Sequence, residues 1–173
     1  MMTSRAWLAV AGLIIVLAAT NYTIMQRQQV VDNGQLMLLS LRPVDPRSLM
    51  QGDYMVLRYT ETVFPAQSAR ADLPRKGVFV VTLDSNNVAT FARMHDGGNL
   101  AAHEALLQYK QVDARGDISL GAESFFFQEG QAELFNPARF GILRVDESGN
   151  SVLIGLADEA WQRIVPADQA EPE

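Results

Sequence analysis

The chain has 173 residues, 48% of them hydrophobic and 20% charged, with a formal net charge of −6 and no cysteine. That length supports one domain with a real core, and the missing cysteine excludes disulfides, thiolate nucleophiles and Cys-bound metals. Arg5 is the only charged side chain before Gln26, so the rest of the chain is more acidic still, which argues against a nucleic-acid binder or a polybasic membrane-surface role.

Trp7–Ala19 is an unbroken apolar run, followed by Asn21, Tyr22 and Thr23 and then Ile24 and Met25. As an α-helix, residues 6–25 measure about 30 Å, enough to cross a bilayer core. Trp7 and Tyr22 then fall near the two interfaces, where such rings are favoured. The spacing predicts a single-pass transmembrane anchor over residues 1–25. A cleavable signal peptide is the competing reading, with Leu8–Leu17 as its apolar region and Val16-Leu17-Ala18 as its cleavage site. Both readings put the soluble part outside the cytoplasm.

Residues 26–34 are polar and read as a juxtamembrane stem. Gln35–Leu41 is a strongly apolar strand. Asp45-Pro46-Arg47-Ser48-Leu49 then reads as a rigid turn: Pro46 fixes φ, and Asp45 accepts from the backbone after it. Gly52-Asp53 is a second turn, with Gly52 free to take positive φ. The strand Tyr54–Thr60 follows, with Met55, Leu57 and Tyr59 on one face and Tyr54, Val56 and Arg58 on the other. On this reading Leu57 is core, the Tyr59 hydroxyl requires a partner where buried, and Arg58 lies at the surface.

Glu61–Gly77 reads as a loop with a helical turn near Gln67–Ala71. Val78–Leu83, the turn Asp84-Ser85-Asn86-Asn87 and Val88–Met94 form a hairpin. Leu100–Leu107 is ambiguous between short helix and loop. Leu106–Val112 and Ile118–Phe127 are further strands. In the latter, Phe126 points one way and Phe125 and Phe127 the other. Gln128–Ala138 reads as a short helix presenting Glu129 and Glu133 to solvent. Phe140–Val145 and Ser151–Leu156 form a second hairpin. Residues 158–173 are an acidic tail, disordered in part.

The whole reads as a mainly β protein: an antiparallel sheet or barrel-like domain of about seven or eight short strands over residues 35–157, behind an N-terminal transmembrane helix. The chemistry-bearing residues do not converge. His95 and His103 are separated by a glycine break, and spacing suggests no third metal ligand. No G-x-S-x-G elbow and no phosphate loop is present. No cofactor, metal or catalytic group is expected.

Gly52-Asp53-Tyr54-Met55-Val56-Leu57-Arg58-Tyr59 resembles, at every fixed position, the motif that names the GDYxxLxY family, and the resemblance extends from about Leu36 to Leu156. It implies a small membrane-anchored bacterial protein whose domain faces the periplasm from the inner membrane, or is released there after cleavage. It also implies a multi-span membrane protein as partner. The residues marked by the motif and its approach are Asp45, Pro46, Arg47, Gly52, Asp53, Tyr54, Leu57, Arg58 and Tyr59, as structural or partner-binding positions. The same stretch is similar to the signal-peptidase box in its turn-into-strand shape. There, however, Val44 stands where the nucleophilic serine belongs, Ser48 falls at the threonine, and the base is left to Lys76 or Lys110. The expectation is a non-enzymatic accessory module for an integral membrane partner. The alternatives are a periplasmic ligand-binding module at Phe125–Phe127 and a hydrolase on a signal-peptidase-like scaffold with Ser48, Asp53, Lys110 and His95 as its test residues.

Overall fold

The first element is helix α1, Ser4–Asn33. Its polar residues at the end of the apolar run turn back on their own backbone: Thr20, Asn21 and Thr23 donate to the carbonyls of Val16, Leu17 and Ala19, each at 2.9 Å. Such i−4 bonds satisfy polar side chains locally, as a helix in an apolar medium requires. The computed structural model describes residues 4–42, 50–51, 54–113 and 117–166. Among them, α1 is the one helix long and apolar enough to cross a membrane. Residues 26–33, within the polar stretch read as a juxtamembrane stem, are helical, with Gln28 donating to Asp32 at 3.0 Å one turn on.

The helix is seated on the domain at its end. Val30 is buried, and Gly34 donates to the Val30 carbonyl at 2.9 Å. A Cβ at Gly34 would collide with the Val30 carbonyl and lie 2.9 Å from the Val145 nitrogen, so only glycine lets the chain pass here. Arg144 fixes the joint by donating to the Gly34 carbonyl at 2.9 Å.

Among the described residues the domain consists of three antiparallel sheets. The first has the order β1-β9-β10, from Gln35–Ser40, Phe140–Val145 and Ser151–Ala157. Its register runs from Gln35 opposite Val145 to Ser40 opposite Phe140. The second, β2-β3-β8, joins Met50–Gln51, Tyr54–Val56 and Ser124–Phe126. The third, β5-β4-β6-β7, joins Ala89–Met94, Lys76–Leu83, Glu104–Gln111 and Ile118–Ser119. A one-turn helix, α2, covers Gln67–Arg70, as expected.

The sheets are stitched together rather than closed. Isolated bridges join Leu38 to Val88 and Leu41 to Tyr59, and Leu57 donates to the Glu123 carbonyl at 2.7 Å. Among the described residues no barrel closes, which corrects the barrel-like part of the expected architecture; mainly β and antiparallel both stand. The strand predicted over Ile118–Phe127 is split because Gly121 adopts φ +75° and Glu123 accepts from the Leu120 nitrogen and, at 3.0 Å, from the Ser119 hydroxyl. Leu100–Leu107 resolves into the start of β6, and Gln128–Ala138 into a 3-10 turn at Ala132–Phe135.

One main core lies between the sheets. Met37, Leu39, Val63, Phe79, Val81, Leu107, Leu143 and Leu156 are fully buried in it. Phe79 stacks on Tyr109 at 4.1 Å and meets Phe91 edge-on at 5.2 Å, geometries that favour aromatic pairs. Gly77 stands opposite Tyr109, and a Cβ there would lie 2.7 Å from its ring. A smaller cluster of Leu38, Ile142 and Ala157 fills the other face of the first sheet.

Candidate partner-binding face

Strand alternation divides the motif as its sequence indicates. Met55, Leu57 and Tyr59 are buried in the main core, while Arg58 and Val56 are exposed and Tyr54 is half-buried. The regular pairing of β3 ends at Val56, short of the expected Thr60, but the backbone continues as a seam. Arg42 donates to the Arg58 carbonyl at 2.7 Å, and Thr60 to the Ser40 carbonyl at 2.9 Å.

Tyr59 carries the most consequential inward contact. Its hydroxyl donates to the Ala122 carbonyl, the partner that its burial demands. Burial, and secondarily the negative charge of Glu123, push the phenol above its ordinary range. The Tyr59 carbonyl accepts from Arg42 Nε at 3.1 Å. Arg42 and Arg70 both pair with Glu61, and the Arg70 guanidinium lies over the Phe64 ring at 5.1 Å. Desolvation lowers the Arg70 pKa, opposed by the charge of Asp117. These contacts hold the strand end; with Glu61 more than half exposed, the ion pairs themselves contribute little.

The outward side is different. Tyr54 pairs with Phe126, and Val56 with Ser124. The Tyr54 and Phe126 rings lie 5.8 Å apart at a 36° tilt. Phe126 is 72% exposed and Val56 38%. Phe125 and Phe127 instead pack on Phe135 at 5.0 and 5.4 Å. The aromatic surface is therefore Phe126 with Tyr54 and Val56, and no groove is formed by Phe125 and Phe127.

Asp45, Pro46, Arg47, Gly52 and Asp53, together with Val44 and Ser48, lie outside the described residues. Lys76 stands opposite Lys110, and Lys110 opposite Ser119. Sequence reading did not single out Ser119, since only register brings it beside a lysine. Its hydroxyl is taken by Glu123 at 3.0 Å and accepts from the Gly121 nitrogen at 3.1 Å. His95 has a buried Nδ1 with no hydrogen-bond partner, and its backbone nitrogen donates to Val78. His103 sits at φ +69°. Among the described residues no group of three or more His, Asp or Glu side chains is arranged to hold a metal ion.

No curated protein and no solved structure matches the chain. A family model described as GDYXXLXY protein matches residues 16–156, reaching past the expected Leu36 into helix α1. With the motif strand seated in the core and most of the chain covered, this protein belongs to the GDYXXLXY family.

Proposed function

We propose that this chain is a membrane-tethered, extracytoplasmic β module that binds an integral membrane protein and performs no reaction of its own. The observation that carries the reading is the division of the motif sheet. Its inward residues are consumed by packing, whereas its outward residues form an apolar face of Phe126, Val56 and Tyr54. Exposed aromatics beside one another are characteristic of protein-contact surfaces. Helix α1 supports the tether, because it runs unbroken from its apolar part through the polar residues 26–29 to the seat at Val30 and Gly34. On this reading α1 remains attached in a bacterial inner membrane, with the domain in the periplasm.

Purification of the intact protein from native membranes in mild detergent tests the proposal. A multi-span protein is expected to accompany it, and deletion of residues 1–25 to abolish the association. Elution of the chain alone under those conditions would refute the reading. The exposed Phe126 face also favours a second reading, a periplasmic ligand-binding module. Peptide, glycan and lipid panels that raise the melting temperature by mass action would identify that case.

A further inference from the structure

Between the outer third of α1 and the domain lies an open cleft of about 1100 Å³. Thr23, Gln26 and Val30 form its helix wall; Leu100, Glu104 and Glu147 stand opposite. Thr23, Gln26 and Val30 are spaced three and four apart, so they occupy one face of the helix. The same face continues into the apolar segment. Gly12 lies about five full turns before Val30, directly in line with it, and Ala19 lies close to the same line. A Cβ at Gly12 would meet nothing within 4 Å. Val16 stands between Gly12 and Ala19 on that face and is exposed, so the side of α1 that faces the domain outside the apolar span is an unoccupied surface within it.

We infer that this continuous face receives a membrane-spanning helix of the partner, whose extracytoplasmic end fills the cleft. The inference rests on the membrane-tethered reading above. The volume is comparable to that of two to three turns of a helix about 10 Å wide. The α1 wall from Thr23 to its seat at Val30 rises about 10 Å, or two turns. Charge sets the polarity of the incoming end. Glu104 is already paired with Arg93 at 2.9 Å, which leaves Asp146 and Glu147 lining the cleft against the guanidinium of Arg27, so a helix end bearing Lys or Arg is complementary.

Geometry excludes a two-fold pair of this chain on that face. A two-fold pair would bring identical faces together. Each α1 carries its domain on that face, at Val30 and Gly34. The two domains would need the same space. The occupant is a helix that turns back or ends within about three turns of the membrane, as the short-looped helices of a multi-span protein do.

The chain has no cysteine, so single cysteines report cleanly. Gln26→Cys places a thiol in the cleft, whereas Gln28→Cys places one about 200° around the helix. Each full-length variant, in native membranes, is labelled with a maleimide-benzophenone and irradiated, and the adducts are mapped by mass spectrometry. The expected result is an adduct from Gln26→Cys, and not from Gln28→Cys, to a peptide at the end of a membrane-spanning segment of another protein. Gly12→Leu is expected to lose the co-purifying partner with the domain's melting temperature unchanged. Suppose a partner co-purifies but the Gln26→Cys adducts are to lipid, to a second copy or to nothing, or both positions label it alike. The inference is then overturned and the proposed function stands. If no partner co-purifies with the unsubstituted protein, both fall.

Discussion

Tyr59→Phe removes one oxygen atom from the motif and leaves its shape intact. The lost contact is the hydroxyl's bond to the Ala122 carbonyl, in a side chain only 4% exposed. Deleting a buried donor leaves its acceptor unsatisfied, so at neutral pH the substitution is expected to cost about 1–2 kcal/mol. For a domain of this size that lowers the melting temperature by about 4–8 °C. The same oxygen predicts an alkaline signature. Burial first, and the Glu123 charge second, raise the Tyr59 pKa in the folded protein, whereas in the unfolded chain the phenol ionises near pH 10. The contribution of Tyr59 is therefore complete below about pH 10 and is lost as pH rises from there towards the folded value, by about 1.4 kcal/mol per pH unit. The phenylalanine variant has no such loss. The stability difference should shrink above about pH 10 and vanish near pH 10.7–11.5, where the linkage loss equals the hydrogen-bond cost. Tyr109 is also raised by burial, but it is present in both variants and cancels in the difference. Urea unfolding of the full-length pair, followed by circular dichroism from pH 7 to 11.5, measures the effect. A difference that is absent at pH 7, or constant to pH 11.5, would refute the assignment.

Leu57→Ala empties a site 3% exposed in the main core and should cost about 2–5 kcal/mol, read as a lower urea midpoint at unchanged slope. Gly34→Ala forces a methyl group against the Val30 carbonyl and the Val145 nitrogen; a loss of about 1–3 kcal/mol is expected, with limited proteolysis newly cutting between Asn33 and Gln35. Asp146→Ala removes a carboxylate that accepts from the Ser148 and Asn150 nitrogens and the Asn150 amide at 2.8–2.9 Å. It should cost on the order of 1 kcal/mol by thermal melting. Phe126→Ser should leave the melting temperature nearly unchanged, because the ring is exposed, yet reduce co-purification of the proposed membrane partner; full retention would remove the aromatic face from the proposed interaction.

Much of the fold was legible where one physical rule governs one stretch. The period-two pattern of Met55, Leu57 and Tyr59 was enough to bury those three side chains and to expose Arg58. The two hairpins were legible because Asp84 and Asp146 open turns by accepting backbone donors two and four residues on. Three features were hidden by competing signals. Leu106 lies between the inward positions Ala105 and Leu107, and this apolar run obscured the start of β6. Residues 26–33 are polar and show no apolar period that marks a helix, and docking of Val30 against the domain holds them helical. The break within Ile118–Phe127 depends on where the Glu123 carboxylate folds back, which no periodicity encodes. The candidate face was half legible: the direction of Phe126 follows from alternation, whereas its pairing with Tyr54 is a matter of register between strands about seventy residues apart. The cleft beside α1 is a property of two elements in contact and has no signature in either one.

The pairing of β1 with β9 sets an order on how this chain acquires its structure. Gly34 and Arg144, joined at the root of the helix, are 110 residues apart, and Gln35 lies directly opposite Val145. A strand completed early thus waits for nearly the last hairpin to be made, on the order of ten seconds at ordinary rates of synthesis. Until then Met37 and Leu39 have no sheet partner on the β9 side, and Val30 and Gly34 have no seat. Closing so long a loop makes this pairing a late event, so the third sheet, whose strands are near neighbours in the chain, is the part able to form first. A chain cut after Phe135 would retain the motif and that sheet while losing the joint that holds the helix. Its β1 would be an apolar strand with an open edge, the kind of surface on which chains aggregate.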